Sequence, residues 1–215
     1  MNETNRVKYF SKEYWKINWK FILINLAIFF CVFLFFLMID LVTKETIFKW
    51  ADKSRLFVDS KWEAGGKFVT FRSVLHEGTT LGFLETNLGF LHFISFMIFF
   101  GAIFAVTFIK DKKLIYVTVF LAIVSAGAFG NMIDRFLFKG VRDIINLPWV
   151  NQGVFNFADV WLVLGGVGIL VAIILEATFG YFKSKKAKSI QENKLQEQSE
   201  LQIPNPSKDK ENDMM

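Results

Sequence analysis

Four long apolar stretches alternate with polar ones along this chain, at about 21–41, 88–109, 114–137 and 160–182. Each is long enough for a helix that crosses a hydrocarbon core, which takes about 20 apolar residues. Polar residues do not break these stretches at the spacing of a half-buried helix or strand. The pattern predicts an all-α membrane protein with four transmembrane helices. Burial inside a large soluble protein is excluded by size, because 215 residues cannot cover four such helices.

The segments between the helices carry patterns of their own. The longest, about 45–87, alternates polar and apolar residues at Lys67-Phe68-Val69-Thr70-Phe71-Arg72-Ser73-Val74-Leu75, which predicts a small β element. Glycines at 65, 66 and 78 supply turns there. The link at 110–113 is short, so the second and third helices form an antiparallel hairpin. Residues 138–158 read as a second outer loop. Residues 1–20 read as a basic, aromatic interfacial lead-in with Tyr9, Phe10, Tyr14, Trp15 and Trp19. From 187 to 215 the chain is rich in Gln, Glu, Lys, Ser and Asn, and a disordered cytoplasmic tail is expected. The first apolar stretch is too long, and starts too far in, for a removable signal peptide.

Charge orients these helices. Basic residues cluster at Arg6, Lys8, Lys12, Lys16 and Lys20, at Lys110, Lys112 and Lys113, and at Lys183, Lys185, Lys186 and Lys188. Four spans place all three clusters on one side, and the positive-inside rule makes that side cytoplasmic, with both termini. The net charge of +5 therefore calls for no nucleic-acid partner, and no recognition motif accompanies it. A single cysteine, Cys31, lies within the first helix, and histidines occur at 76 and 92. That composition supports neither a disulfide framework nor a nitrogen–sulfur zinc site.

The chemistry gathers at the outer ends of the helices. Asp143 lies just beyond the third helix and Asp159 opens the fourth. Ionised carboxylates at a membrane boundary are costly without a partner or a purpose. If the loop folds back, the two can share one proton, so that one accepts a proton from water while the other donates to a carbonyl oxygen. Such a pair hydrolyses an amide with neither metal, cofactor nor covalent intermediate. Taken singly, Asp159 reads equally as a helix cap, and Asp143 as a partner of Arg142 or Arg135. Asn131, Asp134 and Arg135 form a polar group at the end of the third helix. Asn131 and Arg135 share a face with Gly127, which leaves space beside the helix. They could hold phosphates or peptide carbonyls, or Arg135 could snorkel beside Asp134. Asp40 and Lys44, four apart, end the first helix either as a simple ion pair or as a brace for the site.

Taken together, Met38-Ile39-Asp40-Leu41-Val42-Thr43-Lys44, the Gly-Asn-x-x-Asp-Arg box at 130–135, Val-x-Asp at 141–143 and Phe-Asn-x-Ala-Asp at 155–159 resemble the motifs of the lipoprotein signal peptidases. These are the type II signal peptidases of bacteria, aspartic enzymes of the cell membrane. The resemblance covers roughly residues 18–182. It implies cleavage of the signal peptide from diacylglyceryl-modified prolipoproteins, just before the lipidated cysteine, at the extracytoplasmic face. Asp143 and Asp159 would be the catalytic pair. Asn131, Arg135 and Asn156 would line the site and support substrate binding. Asp40, Lys44, Gly127, Asp134, Val141 and Ala158 fall on the family's other characteristic positions. One box departs from the pattern: His76-Glu77-Gly78 stands where the family carries Asn-x-Gly, so His76 takes the place of an amide. The implied partners are prolipoproteins and membrane lipids, and nothing demands more than one subunit.

Two other readings use the same residues. In a small transporter the carboxylates would bind cations, but such sites lie near the midplane on broken helices. In a scaffold without chemistry the tail would recruit partners. A presenilin-type protease is set aside, because its Tyr-Asp and Gly-x-Gly-Asp signatures are missing.

Overall fold

A computed structural model of the chain describes residues 11–55, 57–76, 88–109, 114–150 and 153–201, with side chains to 195. Four helices and four short strands succeed one another: α1 (Lys12–Ile47), β1 (Glu63–Gly65), β2 (Thr70–His76), α2 (Leu88–Val106), α3 (Ile115–Phe138), β3 (Val141–Asn146), β4 (Val154–Phe155) and α4 (Phe157–Leu201). All four helices are long and apolar enough to cross a membrane. The strands form one antiparallel sheet in the order β1-β2-β3-β4.

One buried stripe along α1 organises the bundle. Ile22, Asn25, Phe29, Phe33, Leu37, Asp40 and Lys44 recur every three or four residues and are all buried. Phe29, Phe33 and Leu37 pack with Ala102 and Val106 of α2 and with Ala122 and Ala126 of α3. The rings of Phe33 and Phe99 lie 5.1 Å apart, and those of Phe99 and Phe129 4.6 Å apart. Helical phase then carries Asp40 and Lys44 inward as well. Two polar residues of α1 pin the far end of α2: Tyr14 Oη donates to the Thr107 carbonyl at 3.0 Å, and Asn25 Nδ2 to the Ile109 carbonyl at 2.8 Å.

The helix α3 is the least apolar of the four, with a mean hydropathy of 1.7, and the most enclosed, with 56% of its apolar window buried. Its Ser125-Ala126-Gly127-Ala128 run lets neighbours approach closely. A Cβ at Gly127 would meet the Ala158 carbonyl and sit 2.9 Å from the Leu162 nitrogen. From the α4 side, a Cβ at Gly165 would meet Val124, and one at Gly168 the Phe120 ring.

Several boundaries differ from the sequence expectation. α1 starts at Lys12, capped by Ser11 Oγ, which accepts from Tyr14 N at 3.1 Å. Residues 12–20 are thus its first turns and not a separate lead-in, since no Gly or Pro interrupts Ser11–Ile47; residues 1–10 lie outside the described residues. The stretch 138–158, expected as a loop, holds β3 and β4. At the other end α4 continues to Leu201, so 187–201 are helical where disorder was expected. Lys, Ala, Gln, Glu and Leu favour helix, and no Gly or Pro falls between Gly180 and Pro204. The chain divides into two units, 1–170 and 171–215. In the second, side chains from Ile173 to Leu195 are exposed.

Sheet register positions the chemistry. α3 ends at Lys139, which takes a left-handed conformation (φ 62°) and returns its N–H to the Arg135 carbonyl at 3.0 Å. The chain turns through Gly140 into β3, which pairs with β2 as His76↔Val141, Leu75↔Arg142 and Val74↔Asp143. An irregularity between Phe71 and Val74 shifts the register by one residue. Alternation then sends Val141 and Asp143 to the face shared by Val74 and His76, and Arg142 to the other.

Candidate active site

The start of α4 brings the two aspartates together through one asparagine. Asn156 is the residue before the helix. Its Oδ1 accepts from Asp159 N at 3.1 Å, and its own N–H donates to Asp159 Oδ2 at 3.1 Å. That reciprocal pair is a capping box, with the carboxylate where the helix dipole favours negative charge. Asn156 Nδ2 then donates to Asp143 Oδ1 at 2.7 Å. A single, fully buried side chain therefore touches both acidic residues. The other Asp159 oxygen, Oδ1, accepts from Asn131 Nδ2 at 2.8 Å.

A second layer of charge lies beneath, wholly buried. Lys44 Nζ donates to Asp40 Oδ2 at 2.8 Å and to Asn131 Oδ1 at 3.1 Å, and lies 3.3 Å from Asp134 Oδ2. Asp40 Oδ1 accepts the Ala158 N–H at 2.8 Å. Asp134 Oδ2 accepts the Arg142 N–H at 3.0 Å, and its Oδ1 accepts from Arg142 Nη2 at 2.8 Å and Nε at 3.1 Å. Each buried carboxylate thus holds the backbone of the residue just before one of the paired aspartates. Lys44 ties the two carboxylates to each other. Arg142 also donates through Nη1 to Glu45 Oε2 at 2.9 Å and stacks on Phe138 at 4.5 Å.

The two acids have different surroundings. Burial, and then the charge of Asp159, push the Asp143 carboxyl from 3.8 up to about 7. The Asn156 hydrogen bond and the Lys44 charge only partly oppose this. Asp159 instead receives a hydrogen bond on each oxygen, from Asn131 Nδ2 at 2.8 Å and from the Asn156 N–H at 3.1 Å, at the N-terminus of α4. Arg135, half-buried, faces Asp159, Asp143 and Asp134.

Both acids open onto a cleft of about 1490 Å³, lined also by His76 and by apolar side chains including Leu75, Val154 and Leu162. His76 Nδ1 lies 3.8 Å from Asp143 Oδ2. An apolar trough with two acids in its wall suits an amide carried on an apolar chain. Among the described residues, no group of three His, Cys, Asp or Glu side chains is placed to hold a metal ion.

The residues singled out in the sequence fall into two tiers. Asp143 and Asp159 stand in the cleft wall, held by the buried Asn156 and Asn131, and Asp40, Lys44 and Asp134 form the layer beneath. Ala158 contributes its N–H, Gly127 the close α3–α4 approach, and Val141 the strand partner of His76. Gly78 lies outside the described residues. Asp40 and Lys44 are no exposed helix-end pair, since both are 0% exposed. Asp134 pairs with Arg142 and Lys44, partners that the sequence reading did not give it, because the Lys139 turn brings β3 back over the helix end. Arg142 and Glu45 were missed as functional candidates. A faint signal for Arg142 was its position among Val141, Ile144 and Ile145, in a strand buried on both faces.

Comparison with known proteins adds an independent line. Residues 32–175 match the family model described as Signal peptidase (SPase) II. A lipoprotein signal peptidase of Staphylococcus haemolyticus is 28% identical over 144 residues, covering 66% of this chain and 87% of that protein. One from Listeria monocytogenes is 26% identical over 148 residues, covering 67% and 95%. Two solved structures, both of a bacterial membrane enzyme obtained by the in meso method, superpose with TM-scores of 0.57 and 0.55. They are 25% and 26% identical, covering 69% and 67% of this chain and 88% and 91% of theirs.

Proposed function

Since the chain belongs to the signal peptidase II family, we propose that it removes signal peptides from prolipoproteins in a bacterial membrane, as an aspartic endopeptidase with Asp143 and Asp159 as its catalytic pair. The substrate is the diacylglyceryl-modified precursor, cut just before its lipidated cysteine. One observation carries this reading: the Asn156 side chain and backbone hold one oxygen of each acid, at 2.7 and 3.1 Å.

The proton inventory starts from the raised Asp143 carboxyl. Asp143 holds the shared proton and Asp159 is the base. Water between them gives a proton to Asp159 and attacks the scissile carbonyl carbon. Asp143 donates its proton to the carbonyl oxygen, giving a neutral tetrahedral diol. Collapse breaks the C–N bond as the proton on Asp159 passes to the leaving nitrogen, which becomes the amine of the lipidated cysteine. A hydroxyl proton of the diol returns to Asp143 as the signal-peptide carboxyl forms. Asn131, Asn156 and Arg135 hold the acids and the substrate carbonyls in place.

Membrane placement supports the same reading. Substrate enters sideways from the bilayer, its acyl chains remaining in lipid beside the apolar cleft. By the distribution of basic residues both termini are cytoplasmic and the site faces outward. One subunit suffices. The test is a gel-shift assay on a diacylglyceryl precursor: Asp143→Asn and Asp159→Asn should each abolish processing while the protein still inserts. Normal processing by either variant would overturn the mechanism. Reconstituted ion flux without peptidase activity would point to the transporter reading.

A further inference from the structure

Among the described residues that line the cleft, one titratable side chain is left unused by the proposed chemistry. His76 ends β2, and its partner across the sheet, Val141, lies two residues from Asp143 on the same face of β3. Residues related in this diagonal way are within reach of each other's side chains. His76 Nδ1 lies 3.8 Å from Asp143 Oδ2, and the imidazole is 43% exposed in a cleft that also contains Asp159. Asp143 Oδ1 is taken by Asn156 at 2.7 Å, so Oδ2 is the oxygen left for the shared proton. That oxygen is the one the ring faces.

We infer that His76 is a positioning residue for the proton on Asp143: the charge on its ring decides how readily Asp143 Oδ2 holds that proton, and so sets the alkaline limit of turnover. The inference rests on the proposed aspartate pair and deepens it. An imidazolium close to Oδ2 favours the carboxylate and so disfavours the protonated acid that must donate to the carbonyl oxygen. A neutral ring lets Asp143 keep its proton to higher pH. Histidine is the side-chain type that changes charge between about pH 5 and 8, and its ring stands 3.8 Å from the oxygen in question. An amide at the same position would not couple in this way.

Other groups also act on Asp143. Asp159 faces it from α4, Lys44 from α1, and Asp134 and Arg135 from α3. Glu77, next to His76 in the chain, lies outside the described residues. All of these are unchanged when only residue 76 is replaced.

The experiment measures kcat/KM against pH for purified enzyme and a diacylglyceryl peptide, using the wild type, His76→Asn and His76→Lys. The fixed positive charge of the lysine should give the lowest alkaline limit, the neutral amide the highest, and histidine should fall between. The extremes should differ by about half a pH unit or more, as expected for unit charges about 4 Å apart in a wet cleft. Coincident limits for all three would overturn the inference. A second readout needs no turnover. The infrared band of the protonated Asp143 carboxyl, identified by its loss in Asp143→Asn, should persist to higher pH in His76→Asn than in the wild type. An unchanged titration would also overturn the inference. Failure of the underlying reading looks different, because Asp143→Asn and Asp159→Asn would then process substrate.

Discussion

Lys44 Nζ lies 2.8 Å from Asp40 Oδ2, and both side chains are completely buried. One turn apart on α1, they act at a distance from α1: Asp40 holds the Ala158 N–H and Lys44 reaches Asp134, which holds the Arg142 N–H. The separation of Asp143 and Asp159 is therefore governed by a buried ammonium that touches neither. Lys44→Met would leave Asp40 and Asp134 buried without their shared cation. Breaking a buried pair from one side typically costs about 3–5 kcal/mol. The variant should unfold well below the wild type in a thermal melt in detergent, with turnover lost alongside.

Asn156 has two roles that substitution can separate. Asn156→Ser keeps an oxygen to cap α4 and loses the amide that reaches Asp143. Stability should fall by only about 1–3 kcal/mol, from the buried Asp143 oxygen left without its donor, because serine still caps α4. Processing should nonetheless fall by tenfold or more, in line with one lost hydrogen bond of about 1.5 kcal/mol to a charged or reacting group. Wild-type turnover in this variant would argue against the bridge.

The raised titration of Asp143 links stability to pH in a defined direction. Its carboxyl moves from 3.8 when unfolded to about 7 when folded, so the folded state binds the proton more tightly. This contribution to stability is fully present below pH 3.8 and is lost as pH rises through about 7. Asp143→Asn removes the dependence. Relative to wild type the variant should gain stability steadily from about pH 4 to 7, by up to a few kcal/mol, and then level off. Melts of the two proteins at matched pH measure the difference. A constant offset would show that Asp143 is not perturbed.

Glycine positions offer a contrast within one bundle. A Cβ at Gly130 would run into Asp40 Oδ2 and lie 3.3 Å from Ala158 Cβ, whereas nothing lies within 4 Å of one at Gly166. Gly130→Ala should displace the carboxylate that orients Ala158, with loss of both stability and processing. Gly166→Ala should be neutral or stabilising by up to about 1 kcal/mol, since alanine is the better helix former. Thermal midpoints of the two variants check the prediction.

The tail can be tested by truncation. Side chains of α4 from Ile173 to Leu195 are exposed. Removing 187–215 should leave most of the processing activity, measured on the same precursor; its loss would favour a recruiting role for the tail.

Much of this molecule was legible in its order of residues. Runs of about 20 apolar residues admit little but membrane helices, because an unpaired backbone is intolerable in lipid. The pairing of Asp143 with Asp159 was suggested by two acids at facing helix ends. Even the burial of Asp40 and Lys44 was present in the phase of Phe29, Phe33 and Leu37, though their spacing alone reads equally as a surface pair. Asn156 could be found from its capping-box spacing to Asp159, but not its reach to Asp143.

What the chain order determined is local: helical phase, span length and which residues stand at the ends. What folding decided is who meets whom. Arg142 reaches Asp134 because a left-handed Lys139 reverses the chain and a one-residue shift in β2 sets which face β3 presents. The partner of a buried charge depends on register and on approach between distant segments, and neither is encoded in the spacing of any one segment.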